Sequence, residues 1–232
     1  MRYKLSTQLH TRNHVLQLAN RGLDMHDWYD RAKWEIESVC QLEGWQANQF
    51  IDILAILSPR VTIRRNIRSA FVYFGQEHRM LRNALPNVIT CLEKYLENGI
   101  IGGRKVPFFA RALHGDQSSI TLDTWMSYAL LDVESPHIKY FRRKRSFDSA
   151  CKLVSDVGDI VGLSPRDCQA AIWCGIFRES GQEPQYFPIM REYENWIGQD
   201  RHFPLSGKIA DDVEPDEYSM DDILEELQAV PF

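Results

Sequence analysis

The chain has 232 residues, 44% of them hydrophobic and 25% charged, a balance that provides for a buried core and excludes wholesale disorder. No apolar run approaches the roughly 20 residues that cross a bilayer, and Met1–Leu9 lacks a signal peptide's apolar stretch, so membrane and secreted classes are set aside and a cytoplasmic or host-cytoplasmic protein is expected. The net charge of -5 sums 27 bases and 32 acids, but nine acids and no Lys or Arg lie between Asp211 and Phe232, which leaves 27 against 32 - 9 = 23, about +4, for the body.

In chain order, Asp24 or Asp27 caps a helix that runs through Trp28, Trp34 and Val39 to Gly44. A second helix, Gln46 to Leu57, stops at Ser58-Pro59, and a third, Arg60 to Phe74, ends at Gly75. Pro86 favours a helix start and Gly99 stops the Val88 to Asn98 helix. Arg104 to His114 ends at Gly115, and Asp123 opens a helix holding Trp125, Tyr128 and Leu130. Ser146 and Ser164-Pro165 open two more, while Pro184 to Pro204 reads as irregular with at most one turn of helix. Nothing shows strand alternation, so the expected fold is all-α, with residues 1–204 as one helical domain and 205–232 as a disordered acidic tail. Ile223, Leu224, Leu227 and Val230 give the end of that tail a short amphipathic pattern.

The five cysteines are odd in number and scattered, as expected of thiols in a reducing compartment. Cys168 and Cys174 are the close pair, and no further ligands accompany them at metal-site spacing. Neither a metal nor another cofactor is expected.

The informative segment is Ile100-Ile-Gly-Gly-Arg-Lys-Val-Pro-Phe-Phe-Ala-Arg-Ala-Leu-His-Gly115, followed by Ile120-Thr-Leu-Asp-Thr-Trp-Met-Ser-Tyr-Ala-Leu-Leu131. A glycine hairpin that leads into a helix presents unpaired backbone N–H groups where a phosphate can be held. Asp123 follows Lys105 by 18 positions. In these residues the chain resembles the helix-hairpin-helix superfamily of base-excision DNA glycosylases, specifically its lysine-type bifunctional branch. The junction Ile56-Leu-Ser-Pro-Arg-Val-Thr-Ile-Arg-Arg-Asn-Ile67 and the helix from Ser164 to Arg178 extend the likeness over about Gln46 to Gly181, although the two glycines are adjacent and Ile101 fills the first-glycine slot.

The resemblance implies a two-lobed all-α fold with the helix-hairpin-helix at about residues 88–114, and monomeric action on double-stranded DNA. It implies Lys105 as the nucleophile that attacks the sugar, Asp123 as its electrostatic and acid–base partner, and Gly102, Gly103 and Arg104 as the phosphate-holding hairpin. Phe108, Trp125 and Trp173 are candidates for a base pocket, with Phe109 and Tyr128 beside them. Each has a plainer alternative: Asp123 as a helix cap, Lys105 as a phosphate clamp, the glycines as a simple turn, the aromatics as core. A catalytically silent DNA-binding protein of the same fold and a phage-type base-modification enzyme stay open as alternatives.

Two basic stretches suit a DNA backbone. Arg60, Arg64, Arg65 and Arg68 mostly share one helix face with no acid near them in sequence, and Lys139-Tyr-Phe-Arg142-Arg143-Lys-Arg145 adds aromatics to cations. Pro231-Phe232 after Asp221, Asp222, Glu225 and Glu226 resembles the acidic tip of single-stranded-DNA-binding proteins, which implies a replication protein as a further partner or a tail that covers the basic surface.

Overall fold

The structure is a computed structural model and describes residues 8–59, 61–75, 85–103, 105–132 and 138–201. Its elements are α1 (Arg12–Arg21), α2 (Trp28–Glu43), α3 (Ala47–Ile56), α4 (Ile63–Gly75), α5 (Pro86–Asn98), α6 (Lys105–His114), α7 (Thr124–Leu130), α8 (Lys144–Val161), α9 (Pro165–Glu179) and α10 (Ile189–Gly198), with 3-10 turns at Leu23–Met25 and Ile138–Arg142. Among the described residues the fold is all-α, and strand-like pairing is limited to an antiparallel bridge between Leu9 and Leu131. No described helix is long and apolar enough to cross a membrane.

Local chemistry accounts for most boundaries. Ser164 caps α9 by accepting from the Asp167 N–H at 3.1 Å, with Pro165 as first helical residue. Gly99 ends α5 in the left-handed conformation, φ +71°, which glycine adopts without strain.

Four expectations need correction. The helix expected from Arg60 begins instead at Ile63, because the Thr62 hydroxyl accepts from the Arg65 N–H at 3.3 Å; Arg60 itself lies outside the described residues. The helix expected from Ser146 begins earlier, at Lys144. Residues Ile189–Gly198, where at most one turn of helix was expected, form the 10-residue α10 and bury Ile189, Glu192, Tyr193 and Trp196 on one face. Asp24 lies in a 3-10 turn with its carboxylate on Arg178, at 2.6 and 2.9 Å. Asp27 does precede α2, its carbonyl accepting from Arg31 N–H at 3.0 Å, but its carboxylate accepts the Tyr186 hydroxyl at 2.9 Å. The acidic tail, Pro231 and Phe232 included, lies outside the described residues.

The chain divides into two compact units. Unit 1 takes Met1–Trp34 and Phe108–Tyr186, and unit 2 takes Glu35–Pro107 and Phe187–Phe232, so two of the three divisions fall inside α2 and α6 and the third between α9 and α10. Within unit 1, Val15, Leu18, Leu122, Met126, Leu130, Val154, Val157, Cys168 and Ile172 build the core. Two glycines set how closely α1 approaches α9. A methyl group at Gly175 would lie 2.0 Å from the Leu18 carbonyl oxygen, and one at Gly22 would lie 2.1 Å from that of Ala171. Within unit 2 an aromatic core joins Trp45, stacked on Phe50 at 5.8 Å, to Phe71, stacked on Trp196 at 5.5 Å.

The cysteines are all free thiols. Burial is the first cause that pushes Cys40, Cys168 and Cys174 up to about 12, which leaves them protonated and unreactive at neutral pH.

Candidate functional site

Asp123 sits in unit 1 with extended backbone, immediately before α7. Its Oδ1 accepts the Met126 N–H at 2.9 Å, the N-cap bond, and its Oδ2 accepts the Trp173 indole N–H at 3.3 Å from α9. A carboxylate offers about four lone-pair sites, so these two bonds fix the group while each oxygen keeps acceptor capacity. It is half-buried.

Aromatic rings surround the indole that holds it. Trp173 stacks on Phe177 at 4.6 Å and Trp125 meets the same Phe177 at 4.3 Å. Trp28 lies 6.2 Å from Trp173, and Tyr128 lies 6.0 Å from Trp125. Of the three pocket candidates, Trp125 and Trp173 come together here, whereas Phe108 packs on Phe147 at 4.9 Å beneath the Arg111 guanidinium. Phe177 was not among the sequence candidates, although its place one helical turn after Trp173 could have revealed it.

The loop that leads to Asp123 is anchored from below. Tyr29 is buried; its hydroxyl donates to Gln169 Oε1 at 2.7 Å and lies 3.3 Å from the Thr121 hydroxyl. Burial first, with a further contribution from the Asp123 charge, raises the Tyr29 hydroxyl far above the usual phenol range, so it stays a proton donor. Arg166, fully buried, pairs with Asp30 and Asp167 at 2.8 Å each, and its backbone N–H donates to Gln117 O at 3.0 Å.

The hairpin belongs to unit 2. After Gly99, the Asn98 side chain accepts the Ile100 N–H at 2.9 Å, and the Cys91 thiol points at Gly102 O across 3.9 Å. Gly103 has φ +85°, a value side chains resist; Gly102 does not. Lys105 is the first residue of α6 and half-buried. Pro107, two residues on, has no N–H, which removes one donor from the helix start. Arg104 lies outside the described residues. Lys105 thus falls in unit 2 and Asp123 in unit 1.

The first basic stretch is not acid-free in three dimensions. Glu192 of α10, fully buried, accepts from Arg64 at 2.9 Å and from Arg68 at 2.6 Å, so these two arginines staple α4 to α10. Arg65 is half-buried on the same helix. In the second stretch Phe141 belongs to the unit 1 core and Tyr140 packs against it, while Arg143, Lys144 and Arg145 are exposed and Arg142 is half-buried. The aromatics there serve packing, and Arg143, Lys144 and Arg145 face outward.

No curated protein and no solved structure matches this chain. A family model matches residues 18–180, a span that holds the hairpin, Asp123 and Trp173 and stops before Glu192. The chain belongs to that family, described as a family of unknown function, DUF7178.

Proposed function

We propose that this protein binds double-stranded DNA and cleaves the N-glycosidic bond of a damaged or modified base. The observation that carries the reading is Asp123: at the position where the resemblance puts the catalytic aspartate, a half-buried carboxylate is held by a cap bond and by the Trp173 indole, with acceptor capacity left on both oxygens. As the C1′–N bond breaks, its electron pair leaves with the base and positive charge develops on the sugar. A fixed anion lowers that barrier at no reorganisation cost. The neighbouring Trp125 and Phe177 supply flat apolar surface of the kind a flipped base needs.

The lyase step rests on the resemblance. Lys105 Nζ would attack C1′, form an imine with loss of water from the ring-opened sugar, and permit elimination of the 3′ phosphate. On this reading, borohydride treatment with abasic-site duplex traps a covalent adduct that Lys105→Gln abolishes. Asp123→Asn lowers base release by on the order of 10² to 10³. Neither adduct nor base release from any damaged duplex would end the catalytic reading.

A second reading is a catalytically silent DNA-binding protein of the same fold. It is favoured by the fact that both Asp123 oxygens already serve structure, one capping α7 and one accepting from Trp173. Tight duplex binding with no chemistry selects it.

A further inference from the structure

We propose that the outward face of the first half of α8 binds the phosphate backbone of duplex DNA through charge alone. This rests on reading the protein as one that handles DNA, and it adds a contact surface within unit 1. From Ile138 to Asp156 there are six cations, Lys139, Arg142, Arg143, Lys144, Arg145 and Lys152, against the two acids Asp148 and Asp156. Lys144, Arg145, Asp148, Ser149 and Lys152 recur at helical spacing and line one shallow depression.

The acids do not neutralise this face. Lys144 pairs with Asp148 and Lys152 with Asp156, both one turn apart on the same helix, with the lysine side chains 87% and 73% exposed. Such surface pairs are weak and exchange readily for phosphate. Arg143 and Arg145 are exposed and meet no acid among the described residues. The first turn of α8 also contains no acid, and Arg143 supplies no side-chain cap. Cations crowded at the positive end of a helix are unfavourable alone, and an anion there relieves them.

The aromatics decide which nucleic acid fits. Among the described residues Phe141 is core, Tyr140 packs on that core and Phe147 packs on Phe108, so the rings of this stretch are engaged in packing rather than presented to an unpaired base. Single strands are held mainly by such stacking; a duplex needs only charge that follows its backbone, and contacts of that kind position without reading sequence. Lys144 to Lys152 spans about 12 Å of helix, the axial length of about three phosphates on one strand.

The experiment is fluorescence anisotropy with a random-sequence duplex of about 20 base pairs across a salt series, comparing the full chain with Arg143→Gln/Arg145→Gln/Lys152→Gln, its helix content checked by circular dichroism. Each lost phosphate contact removes about 0.9 from the slope of log affinity against log salt. The triple variant is therefore expected to lose about 2 to 3 units of slope and at least about tenfold in affinity at low salt. If the variant keeps the wild-type slope while Lys105→Gln lowers it, this surface is overturned and the DNA-handling reading stands. Absence of duplex binding by the folded wild type overturns both. An oligo(dT) bound more tightly than the duplex, or phosphatidylglycerol vesicles whose binding the variant abolishes while its duplex binding is intact, also overturns the assignment.

Discussion

His10 and His14 face each other with ring centroids 4.1 Å apart, where the segment before α1 pairs with the end of α7 through the 2.8 Å bond from His10 N–H to Leu130 O. Burial, and next the nearby His14 charge, hold His10 below its ordinary 6.5, while Asp132 and Glu179 pull the other way. A histidine held low takes up protons less readily folded than unfolded. Below pH 6.5 the unfolded chain therefore binds more protons, and stability rises with pH through that window. The urea midpoint is expected to fall between about pH 7 and pH 5, and His10→Gln to reduce the fall; equal pH dependence in both proteins would show that this pair is not its source. At this scale Asp123 was legible in the sequence, because a cap is a local event between residues three apart. Glu192 was not. Its partners Arg64 and Arg68 precede it by 128 and 124 residues, and nothing local marks a buried glutamate that waits for two arginines.

Between α5 and α6 the two glycines are not equivalent. Gly103 has φ +85°, with no heavy atom within 4 Å of an added methyl group, so Gly103→Ala costs conformational strain alone, about 1 kcal/mol. Gly102 has ordinary backbone, and its added methyl group would meet Cys91 Sγ at 3.6 Å, a normal contact. Gly102→Ala is expected to leave the denaturation midpoint within error while Gly103→Ala lowers it; the reverse order would contradict this hairpin geometry. Several helix ends were legible from the Gly, Ser or Asp at the boundary, as at Gly99, Ser164 and Asp123. Two helices escaped for physical reasons. α10 follows Pro188 and ends at Gly198, punctuation that suggested at most one turn of helix, and its helical state is fixed by Tyr193 and Trp196 burying themselves in the unit 2 core. α1 is polar overall and holds its place through Val15, Leu18 and Ala19 against partners remote in sequence.

Across the whole molecule, neither compact unit is a continuous run of chain. All-α character follows from periodicity, but which helices share a unit depends on long-range packing that no single segment records. One close contact of this kind is the glycine pair Gly22 and Gly175. Gly175→Ala would force a methyl group to 2.0 Å from the Leu18 carbonyl, and backbone there has no room to yield without parting α1 from α9. A loss of about 3 kcal/mol or more is expected, measurable by urea denaturation. A loss of under about 1 kcal/mol would mean that α1 is not held as described.

That same contact sets a timetable for synthesis. Gly22 leaves the ribosome 153 residues before Gly175, which at typical elongation rates is roughly 8 to 30 seconds. A 10-residue helix such as α1 has little stability by itself, so Val15 and Leu18 lack their α9 partners throughout that interval. α1 is made well before the helix it packs against, and its solubility in the meantime depends on whatever shelters a short apolar stripe from its neighbours.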